Sequence, residues 1–193
     1  MEPFTVYVVA VNIIGFILFG INLLLYTYTA TGQIDRIITV VALLGGALGI
    51  VISILLFARK AEKENMMSRV FVYCVLIVQI VLLMVMKGFH TETLNLAIIT
   101  FVKQHKFFFG ALLCMNLVTF IVYGIDKYRA IHGQWRIPIV TLLVLAFLGG
   151  APGGLAAVYL FKHKTKKDYF TVGLPLIIGM QAVVLFYWMN SGF

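Results

Sequence analysis

Apolar residues fall in six long runs along this chain, at residues 6–28, 37–58, 70–86, 107–125, 139–161 and 170–189. Each matches the roughly 17–25 residues that an α-helix needs to cross a bilayer. The predicted fold is all-α and polytopic, with six hydrophobic helices and little chain left over for a soluble domain. Polar and small residues recur through these runs in register. Asn116 lies 104 residues after Asn12, and the same offset carries Gly20 onto Gly124 and Gly45-Gly46 onto Gly149-Gly150. It also carries Gly49 onto Gly153, Leu56-Phe57 onto Leu160-Phe161, and Lys60 and Lys63 onto Lys164 and Lys167. A fixed period with three runs in each copy predicts two three-helix repeats. Their bounds are 1–87 for a degenerate copy and 107–193 for a motif-bearing one. Residues 88–106 form a linker whose apolar patch, Leu94 to Val102, is too short to span and reads as an interfacial helix.

Two arrangements of the runs fit this pattern. If all six span, an odd number of crossings per copy inverts the second copy in the membrane. Loops one, three and five then carry eight basic residues and loops two and four carry seven, so charge gives no orientation. If helices two and five are broken at their Gly-rich stretches and return, loops one, two, four and five share one face. That face holds twelve basic residues against three on the other. Both runs are long enough to cross straight, and glycine pairs are common in straight membrane helices. Length tips the balance slightly toward six full spans.

Composition agrees with the membrane class: 62% of residues are hydrophobic and 11% charged, with a net charge of +8. In a soluble protein that charge would suggest nucleic acid. Here it points to basic loops beside anionic lipid headgroups. The start of the chain has no basic segment and no small-residue cleavage site after the first run, so it reads as an uncleaved first helix. Cys74 and Cys114 lie within apolar runs and read as packing residues. No metal-ligand spacing occurs, and neither metal nor cofactor is expected.

The candidate chemistry lies in the second half. Asn116, Thr119, Tyr123 and Asp126 recur at helical spacing and end at Lys127, so one stripe of an apolar helix is polar. Such a stripe faces a pathway or groove, or it bonds neighbouring helices. The first copy has Gly15, Phe19 and Leu23 in place of Thr119, Tyr123 and Lys127. Gly149, Gly150, Pro152 and Gly153 sit near the middle of run five, where a proline kink would free backbone groups for an ion, or glycines would form a packing seam. Lys162-His163-Lys164-Thr165-Lys166-Lys167 follows, a set of cations suited to phosphate or to anchoring at a lipid surface. Trp135, Arg136 and Pro138 open run five as interfacial anchors. His163 has no carboxylate near it in sequence. Asp126 reaches it only if both lie on one face, which the broken arrangement permits and the straight one opposes.

Tyr123, Asp126-Lys127, Arg136-Ile137-Pro138, Gly149-Gly150 with Pro152-Gly153, and His163-Lys164-Thr165 with Lys167 occur in an order that resembles a family of small bacterial integral membrane proteins. This is domain-of-unknown-function family 1294, and the resemblance covers about residues 109 to 185. It implies a multi-pass protein of the bacterial cell membrane, with no assigned biochemical role. The family commonly carries Glu after Arg-Ile-Pro, whereas this chain has Ile139. Some members are joined to cold-shock nucleic-acid-binding domains. This chain has no such barrel, and no direct nucleic-acid binding is expected.

Three functions follow as expectations. The first is a transporter, channel or flippase-like protein handling a small or anionic solute, with the polar stripe as its path and the glycine break at the midplane. The second is a membrane-embedded lipid-headgroup-binding protein or enzyme with a one-sided basic site. There Asp126, Arg136, His163 and Lys164 would converge, with the histidine as acid or base. The third is a helper subunit packing against a membrane complex through its glycine seams. Nothing in the pattern demands an enzyme, and two fused copies make a further obligate dimer less necessary.

Overall fold

The computed structural model describes residues 3–28, 35–58, 66–89 and 96–191, and helix is the only regular structure among them. The chain divides into two compact units, Met1–Ile80 and Val81–Phe193. Among the described residues, six helical segments are by length and composition able to cross a membrane: Pro3–Leu25, Arg36–Phe57, Met66–Met86, Lys106–Ile131, Ile139–Leu160 and Asp168–Met189. Large apolar side chains face outward along them, among them Ile13, Ile17 and Leu24 in the first and Leu113, Leu117 and Ile121 in the fourth. Water would not tolerate so continuous an exposed apolar surface, whereas acyl chains do. The protein is a membrane protein.

In the first unit α1 (Pro3–Tyr28) packs beside a pair of short helices, α2 (Asp35–Val41) and α3 (Ala47–Phe57). They are joined by a glycine turn at Ala42–Gly46, where Gly45 has φ 116°. The turn reverses the chain. Ile38 and Ile54 line one cavity with Phe19, although a straight helix would hold residues so far apart in sequence about 24 Å apart in space. Helix α4 (Met66–Met86) closes the unit over a core that includes Ala42, Ile50, Ile54 and Val72. Lys60, Lys63 and Leu94 lie outside the described residues.

Two amides serve the turn from either side. Asn12 Nδ2 donates to the Gly45 carbonyl at 3.0 Å, and its Oδ1 accepts from the Gly49 N–H at 2.8 Å. Gln79 Nε2, from α4, donates to the Ala42 carbonyl at 2.6 Å. The second unit has the same bonds. After α5 (Ile98–Gln104), α6 (Lys106–Ile131) packs on α7 (Ile139–Leu145) and α8 (Ala151–Leu160), which flank a turn at Ala146–Gly150. Asn116 donates to the Gly149 carbonyl at 2.9 Å and accepts from the Gly153 N–H at 2.7 Å. Gln181 donates to the Ala146 carbonyl at 2.8 Å. It belongs to α10 (Gly173–Met189), which follows the single turn α9 (Asp168–Thr171). Gly149 has φ 111° against 116° at Gly45, and the ring pairs Phe16–Phe57 and Phe120–Phe161 stand 5.8 and 5.1 Å apart.

Run five therefore does not cross straight. Ile137 and His163 flank it, and a straight helix would separate them by about 39 Å. Both bond the same carboxylate, Asp126. The run enters and returns to one face as a hairpin with arms of about 10–15 Å. Six straight crossings were the condition for an inverted second copy, and the second unit does not meet it. The break at the Gly-rich stretches of helices two and five is the arrangement observed. The break lies at the glycines, where the broken arrangement put it, and not at the proline. Pro152 stands in the first turn of α8, where its missing N–H costs nothing. The reversal occurs at Gly149, in a left-handed conformation that favours glycine, and the first unit makes the same reversal with no proline.

Candidate functional site

Asp126 gathers the second unit's hairpin at its mouth. Helix α6 runs six residues beyond the predicted end of its apolar run, to Ile131, and buries this carboxylate completely. Its Oδ1 accepts from the Ile137 N–H at 3.0 Å, where the chain enters the hairpin. Its Oδ2 accepts from His163 Nε2 at 2.9 Å and faces Lys164 Nζ at 2.6 Å, where the chain leaves it. A carboxylate only accepts, so the Nε2 that faces it carries the proton. Both oxygens are thus engaged, by one backbone donor and two side chains on the far arm. A buried carboxylate needs this degree of pairing to stay ionised.

Local backbone geometry turns these side chains inward. Helix α8 ends in a Schellman arrangement, with the His163 N–H on the Val158 carbonyl and the Lys162 N–H on the Tyr159 carbonyl. The residue that such an ending places in left-handed backbone is normally glycine, and here it is Lys162, at φ 46°. Lys164 follows at φ 61°. Left-handed backbone costs a side-chain-bearing residue roughly 1–2 kcal/mol. In return His163 and Lys164 point at Asp126, with side chains only 12% and 14% exposed, while Lys162, Lys166 and Lys167 stay in the open. Lys164 also stands 4.9 Å over the ring of Phe170. Burial holds its ammonium below the ordinary lysine value of 10.5, and nearby Arg136 adds to this. The hydrogen bond and charge of Asp126 pull the other way.

The other stripe residues hold the hairpin along its length. Tyr123, buried, reaches the Leu142 carbonyl at 3.3 Å and packs edge-on against Phe170. Thr119 bonds back to the Met115 carbonyl at 2.8 Å and lies so close to the turn that a Cβ on Gly150 would fall 1.9 Å from its Oγ1. A Cβ on Gly153 would fall 2.1 Å from the Asn116 carbonyl oxygen. The candidates therefore divide between two levels of α6. Asn116, Thr119, Gly149, Gly150 and Gly153 meet at the tip, with Pro152 exposed beside them. Tyr123, Asp126, His163 and Lys164 meet toward the mouth. Ten residues of helix, about 15 Å, separate Asn116 from Asp126. Arg136 and Lys167 are exposed and Lys127 half-buried, and among the described residues none of the three forms an ion pair with a carboxylate.

Several partners were not singled out in the sequence: the Ile137 N–H, the Leu142 carbonyl, Phe170 and the pair Gln79 and Gln181. The glutamines left a signal, since each is the polar residue in mid-run of the third helix of its unit. Phe170 left none in a chain with sixteen phenylalanines. No cluster of three or more metal-ligating side chains occurs among the described residues.

The family model described as "Protein of unknown function (DUF1294)" matches residues 116–170, which begin at the asparagine that bridges the turn and end at the phenylalanine beneath Lys164. The chain is 38% identical over 74 residues to "Uncharacterized protein YsdA" of Bacillus subtilis (strain 168). The match covers 38% of this chain and 83% of that protein. No solved structure matches. With the matched segment coinciding with the hairpin and its clasp, the chain belongs to the family of proteins of unknown function DUF1294.

Proposed function

We propose that this protein binds the phosphate group of an anionic lipid headgroup at the mouth of its second hairpin. One observation carries the reading: both ends of the broken run meet at Asp126, so two loops distant in sequence share one face. From Asp126 to Asp168 the chain holds seven lysines and arginines against these two carboxylates, and all of them lie in the segments flanking the hairpin. Asp126 is occupied with His163 and Lys164, which leaves Lys127, Arg136 and Lys167 to meet an anion. Arginine offers a planar fork to phosphate oxygens, and each exposed cation near an anionic surface contributes about 1 kcal/mol. Trp135, 93% exposed beside Arg136, suits a position at the headgroup level.

The reading places the mouth on the positively charged, cytoplasmic side of a bacterial inner membrane. It treats the two units as a degenerate and a motif-bearing copy of one design. Transport along the α6 stripe is less favoured, because Asn116, Thr119, Tyr123 and Asp126 all spend their polar atoms on the chain itself. The groups freed at the turn, which could have met an ion, are taken by Asn116 and Gln181.

Native mass spectrometry of the purified full chain with phosphatidic acid and with phosphatidylcholine tests the reading. Preferential retention of phosphatidic acid is expected, falling at least tenfold in an Arg136→Gln, Lys167→Gln double variant. Equal retention of both lipids, or no effect of the double change, would remove the headgroup site. Saturable anion flux through reconstituted protein would restore the transport reading.

A further inference from the structure

The first unit holds a cavity of about 190 Å³ between its hairpin, α1 and the start of α4. Phe19, Ile38, Ile54, Met67, Phe71 and Val72 form its walls, and Thr39 and Ser68 also line it. The second unit shows what such a space holds. At the 104-residue offset Phe19, Ile38 and Ile54 correspond to Tyr123, Leu142 and Val158. There Tyr123 bonds the Leu142 carbonyl and packs edge-on against the fully buried ring of Phe170, 5.5 Å between centroids. In the third helix the equivalent glutamines Gln79 and Gln181 set the offset at 102 residues, which puts Ser68 where Phe170 would be, and Ser68 lines the cavity with a hydroxyl in place of a ring. The first unit thus keeps the walls of a ring site, with no ring at the position that Phe170 fills in the second.

We infer that this cavity binds a six-membered apolar ring carried by a small lipid-soluble molecule. Volume and lining agree with that occupant: an apolar cavity of about 150 Å³ in another protein stays dry and takes up benzene. A chain of waters would need two to four polar partners each, and the lining is predominantly hydrocarbon. The Ser68 hydroxyl is placed to meet an oxygen substituent on the ring. The site lies wholly within the first unit and does not depend on the headgroup site of the second.

The test uses the full chain in phosphatidylcholine nanodiscs with 4-fluorotoluene as the probe, read by fluorine NMR against protein-free nanodiscs. Saturable binding is expected, displaced by toluene but not by hexane. It should weaken at least tenfold in Ser68→Phe, which places a ring from the chain itself in the space. Ser68→Leu fills less of it and covers the case in which the larger change does not fold, and helical circular dichroism confirms that each variant is folded. Binding that is undiminished in a folded filled variant would overturn the proposal, as would the absence of any saturable component. Equal displacement by hexane would overturn it in favour of a lipid acyl chain.

Discussion

The two units use one skeleton and differ in how they hold it shut. In each, an asparagine of the first helix straddles a glycine turn, donating to the carbonyl of the glycine with positive φ and accepting from an N–H four residues later. In each, a glutamine of the third helix donates to the first carbonyl of the turn. At the mouth they part. The second unit uses a buried Asp126 with His163 and Lys164. The first has Asn22 at the corresponding position, and there Arg69 of α4 donates from Nη2 to the carbonyl of Ala58, just past the end of α3. The turn is thus the common structural requirement, set by backbone groups that lipid cannot satisfy. Among the described residues the mouth is where the two units differ, with a buried carboxylate in one and an amide and an arginine in the other.

Sidedness gives the largest test of that comparison, because its outcome is all or none. With Cys74 and Cys114 replaced by serine, His132→Cys and Lys166→Cys should react with an impermeant thiol reagent from the same side of the membrane. Labelling from opposite sides would mean that the second unit lacks the hairpin and that the likeness of the two units fails. Next comes the clasp. Asp126→Ala leaves Lys164, His163 and the Ile137 N–H without their common partner and should cost about 3 kcal/mol. Asn22→Ala removes a neutral amide and no buried charge and should cost about 1 kcal/mol, and denaturant titration in detergent measures both. A comparable loss at the two positions would erase the asymmetry between the mouths.

Smaller effects sharpen the turn itself. Gly45→Ala should cost about 1–2 kcal/mol from its left-handed backbone alone, since nothing lies within 4 Å of the added carbon. Gly149→Ala should cost slightly more in the same titration, because its Cβ would meet Leu112 Cδ2 at 2.5 Å and that side chain must move. The smallest effect concerns protonation. Burial holds Lys164 below 10.5, so acylation of its amine, followed by mass spectrometry across alkaline pH, should begin at lower pH in the folded protein than after denaturation. Asp126→Asn should lower that onset further, because the carboxylate is the one group opposing the shift. The unfolded chain keeps the Lys164 proton to higher pH. Through the interval below 10.5, this lysine alone therefore makes folding more favourable as pH rises.

Individual residues show how much of this was legible in the sequence. The six runs, the correspondence of Asn12 with Asn116 and the importance of Gly149-Gly150 all follow from local pattern, and each takes a structural role at its place. Asp126 was legible as a polar residue on an apolar helix, and its meeting with His163 and Lys164 as one of two arrangements; the choice between the two was not, because Ile137 and His163 lie 11 and 37 residues away. Pro152 misled. Proline reads as the breaker of a helix, yet it occupies the one part of α8 where its missing donor is harmless, and the glycine before it makes the turn. Gln181 lies 35 residues from the turn carbonyl it serves, too far for local pattern to pair them.

By itself the sequence determined the class, the number of apolar runs and the residues able to carry charge within them. These depend on composition and on spacing along one helix, which are local properties. Only the tertiary structure decided whether run five crosses or returns, because a 22-residue apolar run satisfies lipid equally well as one long helix or as two short ones with a bonded turn. That choice rests on contacts between separate helices, from Asn116 and Gln181 at the tip to Asp126 at the mouth, and it determines which charges share a face.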